Sequence, residues 1–360
     1  MKMPRCALAA CAALALLDCG FGTQAIAKAK YIEFDPPGSD STYLNPFSLN
    51  EKGDVTGWYL KNEGRLQRAF VRFKNGNIIV LAKDLTNPVP ASINIHDETV
   101  GEDRSLKGFI GAKDGTVAVT FRVPGTDNSG YGTRPDVIDD EGNVAGQYTN
   151  PHEYHWHGFL RKKNGDFITF DAPNGGPLTY QGTTVADMNS TGYIVGTLID
   201  ARYVAHGFLR APDGTITMID ASNAGTGPNQ GTWISAINDN GAMVGHFYNP
   251  KDRAHSFLRD PGGNFIPITV KQKGDDPHQA TFAAVLNNDG VVAGNYTDSI
   301  GAYHGFVRSV TGDIKKFDAP DAVFSVSHGT SVSGINDEGW ISGDYNGPPG
   351  SDYHGYLRKP

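Results

Sequence analysis

Charged residues and long apolar runs are both scarce in this chain of 360 residues. Only 19% of the residues are charged, and 31 Lys and Arg against 39 Asp and Glu give a formal net charge of -8 at pH 7. Without a basic excess the chain has no electrostatic attraction to nucleic acid, so we expect no nucleic-acid partner. The longest apolar run, at residues 6–17, is well short of the roughly 20 residues that a membrane helix needs, so we expect no membrane insertion.

That short apolar run has the flanks of a secretory signal. Lys2 and Arg5 precede it, and the small residues Ala-Ile-Ala at 25–27 follow it as a cleavage site. We predict that residues 1–27 are a signal peptide and that residues 28–360 are a secreted protein, extracellular or periplasmic.

Cysteine occurs only ahead of the predicted cleavage site, at Cys6, Cys11 and Cys19. Disulfides, thiolate catalysis and cysteine-ligated zinc are therefore excluded for the mature chain. A lipoprotein cleaved before Cys19 is the alternative, but Asp18 stands where a lipid signal has a small residue.

Glycine is abundant, and the chain is built from repeats. A string of the form HGFLR recurs with its aromatic residue at Phe70, Phe109, Phe159, Phe208, Phe257, Phe306 and Tyr356. A second string, INDxGxVxG, keeps step with it and ends at Gly57, Gly101, Gly146, Gly196, Gly245, Gly294 and Gly343. Seven copies at spacings of 39 to 50 residues indicate a repeat array.

Each repeat unit has the pattern of four short strands, which we name a to d. In residues 182–222 they are GTTVADMN, YIVGTLI, HGFLR and TITMIDA, separated by turns that contain glycine. Such units, packed face to face, are typical of β-propellers. We predict a single all-β domain, a seven-bladed β-propeller of four-stranded antiparallel blades.

The two ends of the array complement each other. The mature chain begins with a lone strand d, KYIEFDPP, and its last unit stops after strand c, HGYLRKP. We expect the N-terminal strand to complete the C-terminal blade and close the propeller, because closure removes exposed strand edges. We expect a monomer.

The repeated strings HGFLR, INDxGxVxG and FDAP resemble those of the HAF-repeat proteins, named for a recurring His-Ala-Phe that is His-Gly-Phe here. The resemblance spans nearly the whole mature chain. It implies an exported bacterial repeat protein with a probable extracellular repeat, and it brings no established biochemical activity with it.

Histidine begins strand c in five units, at His157, His206, His255, His304 and His354. Equivalent residues of different blades lie about 10 Å apart, too far to share one metal ion. We predict structural hydrogen bonds within each blade, either to Asn150, Asp200, Asn249 and Asp298 or to Thr183, Thr232, Thr281 and Thr330.

One loop departs from this pattern. In PHEYHWHGF, Glu153, His155 and His157 alternate and would project from one face of an extended strand, where two histidines can chelate a metal. An insertion that merely decorates the repeat histidine explains the same residues, so this is a weak metal candidate.

Other site motifs are absent or have structural explanations. We find no G-x-S-x-G, no H-E-x-x-H and no glycine-rich phosphate loop with a lysine, and we predict no cofactor. Asx turns account for the acidic turn residues at Glu51, Asp140, Asp239 and Asp337. We expect structural ion pairs for the strand c arginines at Arg72, Arg161, Arg210, Arg259, Arg308 and Arg358.

The connections are asymmetric. Loops d-to-a and b-to-c share one face and are long, whereas the opposite face has tight turns, and binding residues concentrate on long loops. We predict ligand contacts there by aromatic residues, at Tyr180, Trp233, Phe282, Phe324, Trp156, Tyr303 and Tyr353.

The function predicted from these features is that of an exported, non-catalytic binding or scaffold protein. It would recognise a glycan or a protein surface through the long-loop face. The alternative is a secreted polysaccharide hydrolase or lyase whose catalytic carboxylates are assembled from different blades on that face.

Overall fold

A computed structural model describes residues 29–45, 47–127, 130–272, 279–348 and 352–360. The predicted signal peptide, residues 1–27, lies outside the described residues. Within these ranges every regular element is a β-strand, 28 in all, which confirms the all-β class. None of the described residues forms a helix that is long and apolar enough to cross a membrane.

The first half of the fold begins with a lone strand, β1 (Tyr31–Phe34), followed by three sheets of four strands in chain order. The first is β2 (Ser41–Tyr43), β3 (Val55–Lys61), β4 (Leu66–Arg72) and β5 (Ile78–Leu81). The second is β6 (Val89–Ile93), β7 (Thr99–Glu102), β8 (Gly108–Gly111) and β9 (Val117–Phe121). The third is β10 (Thr133–Ile138), β11 (Val144–Tyr148), β12 (His157–Arg161) and β13 (Phe167–Phe170).

The second half contains the remaining strands. Two successive units provide β14 (Gly182–Met188), β15 (Ile194–Ile199), β16 (Ala205–Arg210), β17 (Ile216–Ile219), β18 (Gly231–Ile237), β19 (Met243–Tyr248), β20 (Ala254–Arg259) and β21 (Phe265–Ile268). The next sheet is β22 (Ala280–Leu286), β23 (Val292–Thr297), β24 (Tyr303–Arg308) and β25 (Ile314–Phe317). The last strands are β26 (Gly334–Ile335), β27 (Ile341–Gly347) and β28 (Asp352–Arg358).

The sheet organisation corrects the predicted fold. The described strands form five sheets of four strands and one larger sheet of eight strands, β14 to β21. The larger sheet arises because Ala205 of β16 pairs in parallel with Gly231 of β18, which joins two successive repeat units. The molecule is an all-β propeller, but the prediction of a closed propeller with seven separate four-stranded blades is wrong.

The N-terminal strand lies in the same sheet as the C-terminal strand. β1 pairs antiparallel with β28, Tyr31 opposite Arg358 and Phe34 opposite Gly355, giving the sheet order β1-β28-β27-β26. Beyond the strand, Lys359 N donates a hydrogen bond of 2.9 Å to Lys30 O.

One contact explains both repeated sequence strings. In the register of β15 and β16, Gly196 lies opposite Phe208. A Cβ at Gly196 would lie 2.8 Å from the Phe208 ring and 2.0 Å from Thr184 O, so a side chain cannot fit there. The ring of the HGFLR string is at most 1% exposed in every unit, and the glycine of the other string leaves the space that this ring occupies.

A circle of asparagines links the repeat units at the short-turn end of the axis. Asn50, Asn94, Asn189, Asn238, Asn287 and Asn336 each donate a hydrogen bond from Nδ2 to the main-chain carbonyl of the equivalent residue in the next unit, at 2.9 to 3.4 Å. Asp139 takes the remaining place and carries no amide hydrogen to donate. The circle is therefore interrupted between Asp139 and Asn189.

Candidate binding site at the long-loop end of the axis

Two cavities lie along the axis, one at each end. A cavity of about 360 Å³ at the long-loop end is lined mainly by residues of the inner strands, those named a in each unit, together with Asn45, Phe47 and Glu102. A cavity of about 210 Å³ at the short-turn end is lined by the asparagine circle and neighbouring turn residues. Among the described residues Phe47 alone lines both.

β-bulges supply much of the lining of the long-loop cavity. In five inner strands the pairing register skips one residue, and all five skipped residues face this cavity. They are Ala91, Asp136, Ala186, Ser235 and Ala284. A bulge re-aims a side chain that would otherwise lie between sheets, so the inner strands point one residue each at the axis.

The polar lining of this cavity includes a cation between two carboxylates. Arg134 Nε lies 3.5 Å from Asp136 Oδ1 and 4.0 Å from Glu102 Oε1. Burial raises the pKa of Asp136 to about 7 and also raises that of Glu102, and the nearby Arg134 only partly offsets the effect. Asp136 Oδ2 is buried without a hydrogen-bond partner. The cavity thus holds a carboxyl group that exchanges a proton near neutral pH.

Residues that follow the strand b glycine lie between neighbouring units near the axis. They are Trp58, Glu102, Gln147, Thr197, His246, Asn295 and Asp344. Three of them, Gln147, Asn295 and Asp344, accept a hydrogen bond from a backbone N–H in or beside the inner strand of the next unit. We did not identify this position from the sequence, although it is the residue after each repeated glycine and varies in chemistry from unit to unit.

His246 occupies an aromatic slot. Its ring stacks on Trp233 at 5.3 Å and meets Phe282 edge-on at 5.4 Å, and burial lowers its pKa to about 4. In this unit the equivalent backbone N–H, that of Ala283, donates instead to Ser256 Oγ at 2.8 Å. His246 is therefore a neutral imidazole that makes ring contacts to its neighbours.

The predicted aromatic residues lie at separate places on the long-loop face. Trp233 and Phe282 flank the His246 slot, and Tyr353 contacts Tyr43, which stacks on Trp58 at 4.1 Å. Tyr43, Trp233 and Phe282 hold the register position of Arg134 in their own inner strands. We call the aromatic residues at this level the rim; Arg134 lines the axial cavity, whereas these three residues do not.

The other predicted aromatic residues lie away from that rim. Trp156 and Tyr180 each stack on Tyr131, at 5.1 and 5.7 Å, and Tyr180 is 64% exposed. Phe324 stacks on His304 at 4.8 Å, and Tyr303 forms a parallel bridge with Gly329. The seven residues therefore do not form one site.

The strand c histidines bind partners within their sheets. Nδ1 of His157, His206, His304 and His354 lies 2.7 to 2.9 Å from a carboxylate that follows strand d, on Asp171, Asp220, Asp318 and Asp35. The FDAP string supplies these carboxylates, a role that the sequence did not reveal. Nε2 contacts the predicted loop residues Asn150, Asn249 and Asp298 at 3.0 to 3.4 Å. The predicted threonines instead accept N–H bonds from the segment that precedes their own strand, as Thr183 does from Ala172.

The strand c arginines correct a further expectation. The guanidinium groups of Arg72, Arg161, Arg210 and Arg358 lie 4.7 to 5.1 Å from the centre of a phenylalanine ring on the preceding strand d. In the described part of the chain none of these four forms the predicted ion pair, and Arg72, Arg161 and Arg210 also donate a hydrogen bond to a backbone carbonyl. The ring face attracts the planar cation without the desolvated anion that an ion pair would need.

The acidic turn residues have backbone partners. Asp140, Asp239, Asp337 and Glu51 each accept a hydrogen bond from a main-chain N–H of the preceding unit, at 2.8 to 2.9 Å. This bonding joins units rather than closing single turns. Burial raises the pKa of Glu51 to about 6.

No protein-family profile matches the sequence, and no curated protein sequence matches it. Among solved structures, a streptogramin B lyase superimposes with a TM-score of 0.58 at 10% identity over 92% of this chain and 98% of that one. A prolyl endopeptidase gives 0.59 at 10% identity over 86% and 46%, and a puromycin hydrolase gives 0.56 at 11% over 88% and 52%.

This chain spans about half the length of the last two proteins. At such low identity the likeness shows the propeller fold alone. The structural neighbours are propeller proteins, and some of them are hydrolases or lyases.

Proposed function

We propose that the protein is an exported binding protein that takes a glycan into the long-loop end of its axis. The observation that carries this proposal is the pairing of aromatic ring faces at the rim with charged groups in the cavity below. Sugars present apolar C–H faces that stack on rings and hydroxyl groups that need polar partners, and this site offers both.

The rim and the cavity would make different contacts with the glycan. Trp58 and Trp233 provide flat surfaces on two sides of the axis, and neither is fully buried. Below them, Arg134 supplies hydrogen-bond donors while Glu102 and Asp136 supply acceptors. A cavity of about 360 Å³ is large enough to enclose one or two sugar rings. Export is supported by the predicted signal peptide and the HAF-repeat resemblance.

A second candidate is hydrolysis or elimination on a polysaccharide at the same place. It is favoured by the carboxyl of Asp136, whose pKa of about 7 suits a general acid or base, beside the second carboxyl of Glu102. In this case Asp136 would exchange the proton and Arg134 would hold an anionic group of the substrate.

A glycan array followed by calorimetry on the best ligand tests the first proposal. We expect Trp233→Ala to weaken binding by about tenfold or more, as truncated aromatic anchors do. Phe324→Ala, a truncation on the same face but away from the axis, should leave the affinity unchanged. Equal affinity for both variants, or no glycan bound, would contradict the proposal.

Incubation of the bound glycan with wild type and Asp136→Asn distinguishes the two candidates. Product release by wild type and its loss in the variant would establish catalysis. Binding without product in either protein would exclude the second candidate.

A further inference from the structure

The loop before β12 carries two potential metal ligands ahead of its strand c histidine, and these three residues are the one group of three such ligands among the described residues. Counting back from the strand c histidine, His155 and Glu153 precede His157 by two and four residues. In the next unit the same places before His206 are held by Val204 and Arg202, which makes that unit a built-in reference.

Three potential metal ligands converge in this loop. Glu153 Oε2 lies 3.5 Å from His157 Nε2 and 3.8 Å from His155 Nε2, and all three ligand atoms lie within 4.8 Å of one another. Ligands of a tetrahedral zinc ion with bonds of about 2.0 to 2.2 Å lie about 3.4 Å apart. Small side-chain rotations would therefore bring all three atoms to bonding distance of one ion.

A carboxylate behind the site orients one of these ligands. His157 Nδ1 lies 2.9 and 3.0 Å from the two oxygens of Asp171. A histidine that donates its Nδ1 hydrogen to a carboxylate directs its Nε2 lone pair outward, and this arrangement recurs behind metal-bound histidines.

The amide of Asn150 marks the point of convergence. Its Nδ2 lies 2.8 Å from Glu153 Oε2 and 3.1 Å from His157 Nε2, so one NH₂ group contacts two of the three candidate ligands. The amide therefore places an electropositive group beside these ligand atoms, and rotation of the half-buried Asn150 side chain would make room for an ion.

We propose that Glu153, His155 and His157 form a site for a divalent transition-metal ion of the zinc type, with Asp171 as its outer partner. Two imidazoles and one carboxylate suit such ions better than calcium or magnesium, which prefer oxygen ligands alone. Three protein ligands leave a coordination position open to water or to an external ligand. The site is separate from the axial cavity and does not depend on the proposed glycan binding.

Calorimetric titration of the tag-free protein with Zn²⁺ tests this proposal. We expect one saturable site, with affinity lowered more than about tenfold in His155→Ala, because loss of a ligand costs at least as much as loss of an outer partner. His155 makes no repeat-type bond to a strand d carboxylate, so this variant should keep the wild-type fold. The unit of His206 lacks the two extra ligands, so the control variant His206→Ala should bind Zn²⁺ as wild type does.

A gain of affinity provides an independent readout. Asn150→Asp introduces the aspartate that Asp200 and Asp298 provide in other units and adds a fourth ligand, so Zn²⁺ binding should tighten by about tenfold. Quenching of Trp156 fluorescence by Co²⁺, removed in Trp156→Phe, should locate the ion. Absence of saturable Zn²⁺ binding up to millimolar concentration, or wild-type affinity in His155→Ala, would overturn the proposal.

Discussion

Asp136 stands where other units have alanine or serine. At the bulged position of the inner strands, Ala186, Ser235 and Ala284 face the same axial cavity, and none of them carries a charge. An ionised carboxylate there is costly, because it is removed from water and one of its oxygens has no hydrogen-bond partner. Asp136 is the one acidic residue among the five bulged residues. Because its burial costs stability, its presence favours a role in binding or proton transfer.

The raised pKa of Asp136 predicts a pH dependence of stability. Its folded pKa of about 7 lies above its usual value of 3.8, so the folded state binds more protons and stability falls as pH rises from about 4 to 7. We expect Asp136→Ser to remove this fall and to raise the free energy of unfolding at pH 8 by ~1–3 kcal/mol. Urea unfolding of both proteins at pH 4.5 and 8 measures it, and an equal pH profile would contradict the assignment.

Two equivalent histidines predict opposite pH behaviour. Asp318 raises the pKa of His304, whereas burial lowers that of His255, which has Thr269 at the position of that aspartate. Stabilisation by His304 is present below about pH 6.5 and is lost as pH rises through its folded pKa. His255 opposes folding at low pH, because its charged form is disfavoured in the folded state.

We therefore expect His304→Ala to lower the melting temperature more at pH 5.5 than at pH 8.5. His255→Ala should cost least at pH 5.5. Scanning calorimetry on both variants at the two pH values checks the prediction, and the same pH trend in both would contradict it.

At the scale of elements, β1 is held in a sheet with strands from the far end of the chain. Phe34 packs against Phe70, Arg72 lies over the Phe34 ring, and Asp35 contacts His354 at 2.7 Å. Pairing of β1 with β28 also covers an edge that would otherwise be open.

Deletion of residues 29–37 should therefore expose β28 and cause aggregation or loss of cooperative melting. A synthetic peptide of residues 29–37, added in trans, should restore a cooperative transition, and a scrambled peptide should not. A deletion variant that melts as a monomer at the wild-type temperature would show that β1 is dispensable.

The strands could be predicted from the sequence, but the axial site could not. Strand positions followed from the repeated strings, because a glycine opposite a buried ring leaves the same signature in every unit. The axial site did not, because Glu102, Arg134 and Asp136 all lie outside the repeated strings. Their side chains meet only through a bulge and a contact between units, and neither leaves a periodic pattern. The parallel pair at Ala205 and Gly231 likewise depends on how two units pack.

At the scale of the whole molecule, the asparagine circle predicts a stabilising substitution. Asp139 interrupts it, and burial raises the pKa of this carboxyl. We expect Asp139→Asn to supply the missing donor to Asn189 O and to raise the free energy of unfolding by ~1 kcal/mol.

The reverse change, Asn238→Asp, opens a second gap with a buried carboxylate and should destabilise the protein by about 1 to 3 kcal/mol. Urea unfolding at pH 7 measures both variants. A loss of stability in Asp139→Asn would show that the carboxylate contributes more there, through its bonds to Asn143 at 2.7 and 2.8 Å, than an amide could.

Phe47 belongs to the walls of both axial cavities and is the one described residue that they share. Its backbone has a φ of +61°, which a large side chain rarely adopts, and its side chain packs against two neighbouring core clusters that hold it in place. A substitution at this position therefore changes the walls of both cavities at once, so it cannot be used to separate an effect at one end of the axis from an effect at the other.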